Sequence, residues 1–215
     1  MARLLLLFLI GPALLGWNGP AAPPRSRLRD MAERAGLRAQ VLEPALRAHR
    51  RAIASRLTAS PLLTVIDYSL PSRVRRLWVL DLGTERVLAR EYVAHGRNSG
   101  DDIARRFSDR AGSLQSSLGL FLTGRVYRGK HGLSLRLRGL DPRLNRHAEA
   151  RAIVIHGADY VSERTIAALG RLGRSQGCPA LDHAVAGRII QLIRDGTALY
   201  ACHPSAAREP SLATR

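Results

Sequence analysis

Hydrophobic positions along the chain change their spacing near residue 60. Residues 29–57 place apolar side chains at the three- and four-residue intervals of a helix, and Gly36 and Pro44 each predict a break or a new helix start. From residue 62 onward the apolar residues come in short runs separated by glycine-containing turns, which is the pattern of β-strands. The pattern therefore predicts an N-terminal helical segment followed by a strand-dominated region.

The strand-dominated region also contains two short helices. Strands are predicted at residues 62–70, 76–82, 86–96, 117–129, 133–140, 150–157 and 197–203. The run 150–157 is almost wholly apolar, which predicts a central buried strand. Ser162 predicts the N-cap of a helix over residues 163–169, and a second helix is expected to begin at Asp182 and stop at Gly196. This order indicates a mainly β, α+β fold: a β-sandwich or barrel-like domain with an N-terminal helical segment and two short late helices.

The first 21 residues have the pattern of a secretory signal peptide. Arg3 precedes an apolar run, and the small residues Gly19 and Ala21 suit cleavage after Ala21. A membrane anchor is the alternative, but the run is short for a span of about 20 residues and contains Pro12. We therefore expect export to the periplasm or cell envelope, with no stable membrane span after cleavage.

The charge balance of the chain is strongly basic. It has 34 Lys and Arg residues against 17 Asp and Glu, a formal net charge of +17, and Lys130 is its only lysine. Such a charge favours association with a polyanion, so anionic cell-envelope polymers are a possible partner, although an arginine-rich composition alone would give the same count. Aromatic residues make up only 5%, which argues against a base-stacking surface, and export argues against a nucleic-acid partner.

The two cysteines, Cys178 and Cys202, leave several kinds of chemistry open. The sequence has no C-x-x-C and no H-E-x-x-H, and its histidines are scattered, so we expect neither a metal site nor a metal cofactor. In an exported protein the two cysteines could form a disulfide. Cys202 could instead be a buried strand residue, and Cys178 a reactive thiol.

A catalytic role for Cys178 needs a base and oxyanion donors, and the sequence offers candidates for both. His156 ends the apolar run and could act as the base, with Gly157 leaving space beside its imidazole. Gly177 permits a sharp turn that could aim the amides of Gly177 and Cys178 at one point. A histidine in this position is often structural, however, and the residues alone do not decide between these interpretations.

The segments IHG at 155–157 and RLGRSQGCPAL at 171–181 resemble the active-site signature of the YkuD-type L,D-transpeptidases, cysteine enzymes of the bacterial cell wall. Further blocks, including LLTVIDYSLPS, AHGRNSG and YRGKHGLSLRLRGLD, are similar to the murein L,D-transpeptidase catalytic-domain branch. The resemblance covers residues 37–203 and implies a catalytic domain there. The chain is therefore expected to have four segments: a signal peptide at 1–21, a flexible lead-in and helix start at 22–36, this catalytic domain, and a flexible tail at 204–215.

The resemblance implies roles for individual residues. Cys178 matches the nucleophile, His156 the general base, Gly177 together with Cys178 the oxyanion donors, and Ser175 the serine of the motif. Arg174, His131 and Gly157 are candidate substrate-binding residues.

Two positions depart from the wider family's motif. Gln176 stands where a histidine is usual before the Gly-Cys pair, and Ala180 stands where an arginine or asparagine is usual. Contacts with the substrate near the nucleophile could therefore differ, and Arg174 is a candidate for a compensating cation.

The implied activity is that of an exported peptidoglycan L,D-transpeptidase without a cofactor. Its thiol would form a thioester with a peptidoglycan stem tetrapeptide, release D-alanine and pass the acyl group to an amine. An L,D-carboxypeptidase or endopeptidase acting on the same wall is one alternative. A non-catalytic basic wall-binding protein with a Cys178–Cys202 disulfide is another.

Overall fold

A computed structural model describes residues 27–204 of the chain. The predicted signal peptide, residues 22–26 of the lead-in and residues 205–215 lie outside this range. Four helices are present among the described residues: α1 Arg27–Arg34, α2 Ala39–Ala54, α3 Glu163–Leu169 and α4 His183–Ile193. Within residues 27–204 no helix combines the length and apolar character needed to span a bilayer.

The described strands form one sheet of eight. Their bounds are β1 Leu62–Asp67, β2 Leu77–Asp81, β3 Arg86–Glu91, β4 Gly119–Gly129, β5 Gly132–Gly139, β6 Val154–Gly157, β7 Ala180–Leu181 and β8 Ala198–Cys202. The order across the sheet is β3-β2-β1-β8-β4-β5-β6-β7. Most neighbours are antiparallel, whereas β1 with β8 and β6 with β7 are parallel pairs.

The two edges of the sheet meet, so the sheet nearly closes into a barrel. The segment that follows β3 forms bridges from Ala94 to Ala180 and from Gly96 to Ser175, and the Ala94 N–H donates to the Ala180 carbonyl at 2.9 Å. Ala180 belongs to β7, the last strand in the order, and the segment continues from β3, the first strand. These contacts therefore bring the two ends of the sheet together. The mainly β, barrel-like fold expected from the sequence is confirmed.

Each face of the sheet is covered by a separate apolar cluster. In β2, Leu77 and Val79 pack into the cluster that contains α4, whereas Trp78 and Leu80 pack into the cluster that contains α1 and α2. This alternation follows from the two-residue period of a strand. A sheet buried on both faces gives rigid strands, and the ends of these strands carry the candidate site.

Several local predictions agree closely with the structure. Helix α3 has Ser162 as its N-cap, with the Ser162 side chain accepting from the Thr165 N–H, and Asp182 caps α4 by accepting from the Ala184 N–H. The β2–β3 and β4–β5 hairpins are present, although β3 ends at Glu91 rather than continuing to residue 96. The break at Gly36 separates α1 from α2.

Two predictions from the sequence are wrong, because they considered local preferences and not contacts between distant parts of the chain. Pro44 does not break or start a helix but lies inside α2, which buries seven residues against the sheet. That burial outweighs the one helix hydrogen bond that a proline removes. The strand predicted over 150–157 is only β6, Val154–Gly157, and it lies second from the end of the sheet order rather than at its centre.

Both cysteines are free thiols, so the disulfide alternative is wrong. Cys178 packs against the apolar cluster that contains α4, whereas Cys202 packs against the cluster that contains α1 and α2. The two thiols therefore belong to opposite faces of the sheet, and no disulfide can join them without rearranging it.

Candidate active site

A cavity of about 890 Å³ gathers most of the predicted site residues. Cys178, His156, His131, Ser175 and Arg174 all line it. The wall also includes Tyr127, Ser134, Arg151, Val154, Tyr160 and Gln176. Gly177 and Gly157 are not among the lining residues. We refer to this cavity as the cleft.

Parallel pairing of β6 with β7 brings the histidine and cysteine segments together. His156 lies opposite Ala180 in the register, and Gly157 lies opposite Leu181. Continued by two residues, the same register places Val154 beside Cys178, and the Val154 N–H acts as a hydrogen-bond donor toward the thiolate form of Cys178. The crossover through α3 therefore converts two distant sequence segments into adjacent ones.

Ser175 holds the loop that carries the cysteine. Its hydroxyl donates to the Cys178 carbonyl at 2.6 Å and accepts from the Gly177 N–H at 3.0 Å. Its backbone N–H donates to the His95 carbonyl at 2.9 Å, and its carbonyl accepts from the Arg97 N–H at 2.8 Å. Ser175 therefore ties the loop that carries Cys178 both to itself and to the segment that follows β3.

We expect Ser175→Ala to slow acylation of Cys178 about tenfold and to lower the free energy of unfolding by about 1–3 kcal/mol, because it leaves two buried backbone groups unpaired. Acylation rates and thermal unfolding measure the two effects. Ser162→Ala is the matched control: it removes a helix cap, costs about 1 kcal/mol, and should leave acylation unchanged. Equal acylation rates for the Ser175 variant and wild type would contradict this assignment.

Gly177 has a backbone conformation that suits glycine, and its N–H donates a hydrogen bond within the loop. Its φ is +124°, and a Cβ there would lie 2.8 Å from the Gln115 carbonyl oxygen. The Gly177 N–H, which the sequence analysis assigns as an oxyanion donor, donates to Ser175 Oγ at 3.0 Å in this structure. The Cys178 N–H remains close to its own sulfur, where it stabilises the thiolate.

His156 has a defined tautomer. Its Nδ1 lies 2.8 Å from the Gly157 carbonyl oxygen, which can only accept, so Nδ1 carries the proton and Nε2 is left as a base. The His131 ring stacks on it, with centroids 4.3 Å apart and an interplanar angle of 20°. Burial lowers the pKa of His156, and the nearby His131 adds to this effect. The imidazole is therefore neutral at neutral pH.

The thiol of Cys178 is also neutral in the resting protein. Burial raises its pKa above the usual value, while the Val154 N–H and the Arg151 guanidinium act in the opposite direction. The Cys178 thiol lies 3.8 Å from the Ala152 carbonyl oxygen as a weak donor. A neutral thiol and a neutral imidazole that line the same cleft call for general-base activation rather than a preformed ion pair.

These shifts predict the pH dependence of acylation. Since His156 must be unprotonated to act as a base and its pKa is lowered, the acid limb of kcat/KM should fall below about pH 6.5. The raised pKa of Cys178 should let the rate increase further at alkaline pH. Stopped-flow acylation across the pH range measures both limbs. An acid inflection above pH 6.5 would contradict a neutral resting pair.

Gly157 makes room for His183. A Cβ at this position would lie 2.4 Å from His183 Nδ1, which is too close for two atoms that are not bonded. Gly157 and His183 line a neighbouring cavity of about 530 Å³. Lys130, His131 and Tyr160 line both cavities.

The structure shows the surroundings of the two residues that depart from the motif, Ala180 and Gln176. Ala180 is fully buried in β7 and its backbone pairs with His156, so an arginine side chain has no space there. Gln176 is exposed and lines the cleft. Arg174 also lines the cleft, but its guanidinium donates to the Asp101 carboxylate at 2.7 Å and to the Gly100 carbonyl at 3.2 Å. Arg174 is therefore a paired cation.

A layer of buried polar side chains packs against the loop that carries Cys178. The fully buried Arg76 guanidinium lies 2.7 Å from His95 Nδ1 and 5.2 Å from the Tyr68 ring centroid. Burial lowers the pKa of His95 to about 4, and the Arg76 charge adds to this effect. The Ser116 hydroxyl donates to the Gly177 carbonyl at 3.2 Å. This layer fixes the backbone on both sides of the cysteine loop.

Sequence reasoning did not single out Arg97, Lys130, Arg151 and Tyr160 as site residues, although all four line the cleft. Arg151 is the most buried of them: it donates to Ser117 Oγ at 2.6 Å and to the Gln115 carbonyl at 2.7 Å, near Cys178. Its only sequence signal is a charge at the start of an apolar run. Burial raises the pKa of Tyr160 to about 12, and Cys178 contributes, so the phenol stays protonated.

Within residues 27–204, no group of three or more His, Cys, Asp or Glu side chains is placed to hold a metal ion.

Comparison with known proteins identifies the family. The L,D-transpeptidase catalytic domain family matches residues 33–202 of the chain. No curated protein matches the chain significantly. Solved structures with a similar fold include an L,D-transpeptidase from Mycobacterium smegmatis, at 13% identity over 67% of this chain and 59% of that one, with a TM-score of 0.42.

Two further structures are similar at the same level. L,D-transpeptidase 1 from Mycobacterium tuberculosis is 15% identical over 66% of this chain and 62% of that one, with a TM-score of 0.37. An L,D-transpeptidase from Xylanimonas cellulosilytica is 15% identical over 71% of this chain and 68% of that one, with a TM-score of 0.38. The chain thus spans about three fifths of the first two proteins. On the match over residues 33–202, the chain belongs to the L,D-transpeptidase catalytic domain family.

Proposed function

We propose that the protein is a cysteine-dependent L,D-transpeptidase that acts on peptidoglycan stem peptides. The observation that carries this proposal is one cleft lined by a neutral thiol, Cys178, and by a histidine, His156, whose Nε2 is free to take a proton. Membership of the L,D-transpeptidase catalytic domain family supports the same reaction class. The predicted signal peptide supports an envelope location.

Acylation begins with transfer of the Cys178 proton to His156 Nε2. The sulfur attacks the carbonyl of the third stem residue, so that an S–C bond forms and the carbonyl oxygen becomes an oxyanion. The Cys178 N–H and the protonated hydroxyl of Tyr160 are the donors we assign to that oxyanion. The C–N bond then breaks, and D-alanine leaves with the proton from Nε2.

Deacylation uses the same two residues in reverse. An amine from a second stem attacks the thioester carbon, and His156 Nε2 takes the proton that the nitrogen loses. The new amide bond forms as the C–S bond breaks, and the sulfur recovers the proton. Water in place of the amine would give hydrolysis, which is the carboxypeptidase or endopeptidase alternative. Neither half requires a metal or an organic cofactor.

The experiment that tests the proposal uses the full chain and a defined tetrapeptide stem. We expect intact mass spectrometry to show a thioester adduct and product analysis to show released D-alanine. With an added amine acceptor, cross-linked dimers indicate transfer, whereas tripeptide monomers alone indicate hydrolysis. Absence of both adduct and product would overturn the proposed function and leave the basic wall-binding alternative.

A further inference from the structure

A stripe of arginines runs along the outer side of α2. Arg47, Arg50 and Arg51 follow one another at three- and four-residue intervals, so they share one side of the helix. Arg47 and Arg50 are exposed, Arg51 is partly buried, and Arg56 is exposed just beyond the helix. Residues 44–66 contain these four arginines and no Asp or Glu. We refer to the four side chains as the arginine stripe.

Three arginines of the stripe are open to an anion from outside. Among the residues that the structure describes, the side chains of Arg47, Arg50 and Arg56 make no hydrogen bond or ion pair. The acid on the same helix, Glu43, is paired with Arg29 at 2.6 Å. The hydrogen bond from Arg29 is the main reason that the pKa of Glu43 is lowered, and the charges of Arg47 and Arg50 add to it. One carboxylate shared with Arg29 leaves most of the stripe's charge uncompensated.

An apolar groove of about 490 Å³ lies beside the arginine stripe. Arg50 forms part of its wall, so the stripe and the groove are continuous. Ile53 lies in the groove and is 39% exposed; only Leu169 is a further exposed large apolar side chain within residues 27–204. The other lining residues are His49, Ala54, Ala59, Ser60, Pro61, Leu82 and Gly83.

Hydrogen bonds fix the elements that form the groove. The His49 ring donates from Nε2 to the Ser60 carbonyl at 2.9 Å, which ties α2 to the segment before β1. The Leu82 N–H donates to the Pro61 carbonyl at 3.0 Å, which ties the end of β2 to the same segment. The groove is therefore a fixed feature of this surface.

The turn between β2 and β3 adds little negative charge beside the groove. It contains Asp81, whose carboxylate accepts from the Gly83 and Thr84 N–H groups at 2.9 and 3.1 Å. It also contains Glu85, which is followed directly by Arg86. Two acids and one arginine in this turn do not offset four arginines in the stripe.

The combination of open arginines and an exposed apolar side chain matches an anionic bilayer surface. Lipid phosphates attract basic side chains, and an apolar side chain such as Ile53 is stabilised at the boundary between headgroups and acyl chains. An anionic wall polymer would also attract the arginines, but it would leave the groove in contact with water. The two features together therefore favour a membrane.

The sequence gives a second argument for a nearby bilayer. Nine residues separate the apolar run 4–17 from Arg27, a reach of at most about 30 Å. Helix α1 begins at Arg27 and is joined to α2 by the ion pair of Arg29 with Glu43. While the run lies in a membrane during export, the arginine stripe is therefore held close to that membrane.

We propose that the arginine stripe and the apolar groove together form a docking surface for an anionic membrane. The surface is separate from the candidate active site, because no residue that lines the groove also lines the cleft. The apolar cluster that contains α2 also lies on the opposite face of the sheet from the cluster that contains Cys178. Docking through α2 thus leaves the cleft accessible, and it goes beyond the proposed function.

The test measures binding of the full chain to two kinds of vesicle, phosphatidylcholine alone and an equimolar mixture with phosphatidylglycerol. Co-sedimentation gives a partition coefficient for each, and their ratio is the readout, since residues 1–21 contribute equally to every arm. The variants are R47Q/R50Q/R56Q and I53S. Their matched controls are R105Q/R125Q/R164Q, which removes three exposed cations from other segments, and L169S, which removes the other exposed apolar side chain.

We expect R47Q/R50Q/R56Q to lower the ratio of partition coefficients about 10²-fold, since each basic residue near an anionic surface contributes roughly a fivefold gain. R105Q/R125Q/R164Q has the same net charge and should change the ratio far less. I53S should weaken binding to the mixed vesicles about fivefold, whereas L169S should bind like wild type. Binding to the mixed vesicles should fall as salt concentration rises.

Three results would overturn the inference. Wild type that binds both kinds of vesicle equally has no preference for anionic lipid. Equal losses in the two triple variants would assign the binding to net charge and not to this surface. Unchanged binding by I53S would remove the apolar contact and assign the arginines to a polymer. None of these measurements uses acylation, and R47Q/R50Q/R56Q should form the thioester at the wild-type rate, so failure of the proposed function is recognised separately.

Discussion

Cys178→Ala is expected to abolish thioester formation completely while leaving the protein folded. The sulfur is the atom that forms the bond to the acyl group, and alanine offers no nucleophile in its place. The side chain is only partly buried, and its loop is held by Ser175 and not by the thiol, so we expect little loss of stability. Intact mass spectrometry after incubation with a tetrapeptide stem measures the adduct, and circular dichroism measures the fold.

Cys202→Ala is the matched control, because it removes the other thiol from the opposite face of the sheet. Burial raises the pKa of Cys202 well above its usual value, so this thiol is inert at neutral pH. The Cys202 variant should still form the adduct at one equivalent. A thioester on the Cys178→Ala protein, or its loss in the Cys202→Ala protein, would show that the nucleophile is assigned wrongly.

His156→Gln is expected to lower the acylation rate at neutral pH by about 10²–10⁴-fold, the range for loss of a general base. Glutamine is close to histidine in size and can still donate to the Gly157 carbonyl, which Nδ1 contacts at 2.8 Å, but it cannot accept the thiol proton. Glutamine is preferable to alanine because His156 is buried, with a relative exposure of 2%, and alanine would leave a cavity there. Pre-steady-state acylation measures the rate.

The pH dependence of this variant separates loss of a base from loss of structure. Without His156 the thiol must ionise by itself, and burial has raised its pKa, so the residual rate should climb steeply toward alkaline pH. A variant that is merely misfolded would stay slow at every pH. His147→Ala, which changes a half-exposed histidine outside the cleft lining, should match wild type throughout. A pH-independent residual rate for the His156 variant would contradict its role as the base.

Local structure was largely predictable because it depends on neighbours in sequence. The caps of α3 and α4 are set by Ser162 and Asp182, whose side chains accept from amides two or three residues away. Strand alternation likewise reports on adjacent residues. The error at Pro44 has the opposite origin, since burial of α2 against the sheet overrides a local helix-breaking preference.

The candidate site was predictable only in part, for the same reason. Cys178, His156 and Ser175 stand in a motif that the sequence displays directly, and the structure places all three along the cleft. The contacts of the two glycines could not be predicted from the motif, because they depend on how the chain folds around them. The Gly177 amide is taken up by Ser175, and Gly157 accommodates His183.

By itself, the sequence determined the order of helices and strands, the strongly basic charge and the motif that carries Cys178. Only the tertiary structure decided that Cys178 and Cys202 lie on opposite faces of the sheet, and that Arg97, Arg151 and Lys130 line the same cleft as Cys178 and His156. The reason is physical. Hydrogen bonding and apolar periodicity act over a few residues, whereas a site is assembled by strand pairing and burial between segments far apart in the chain.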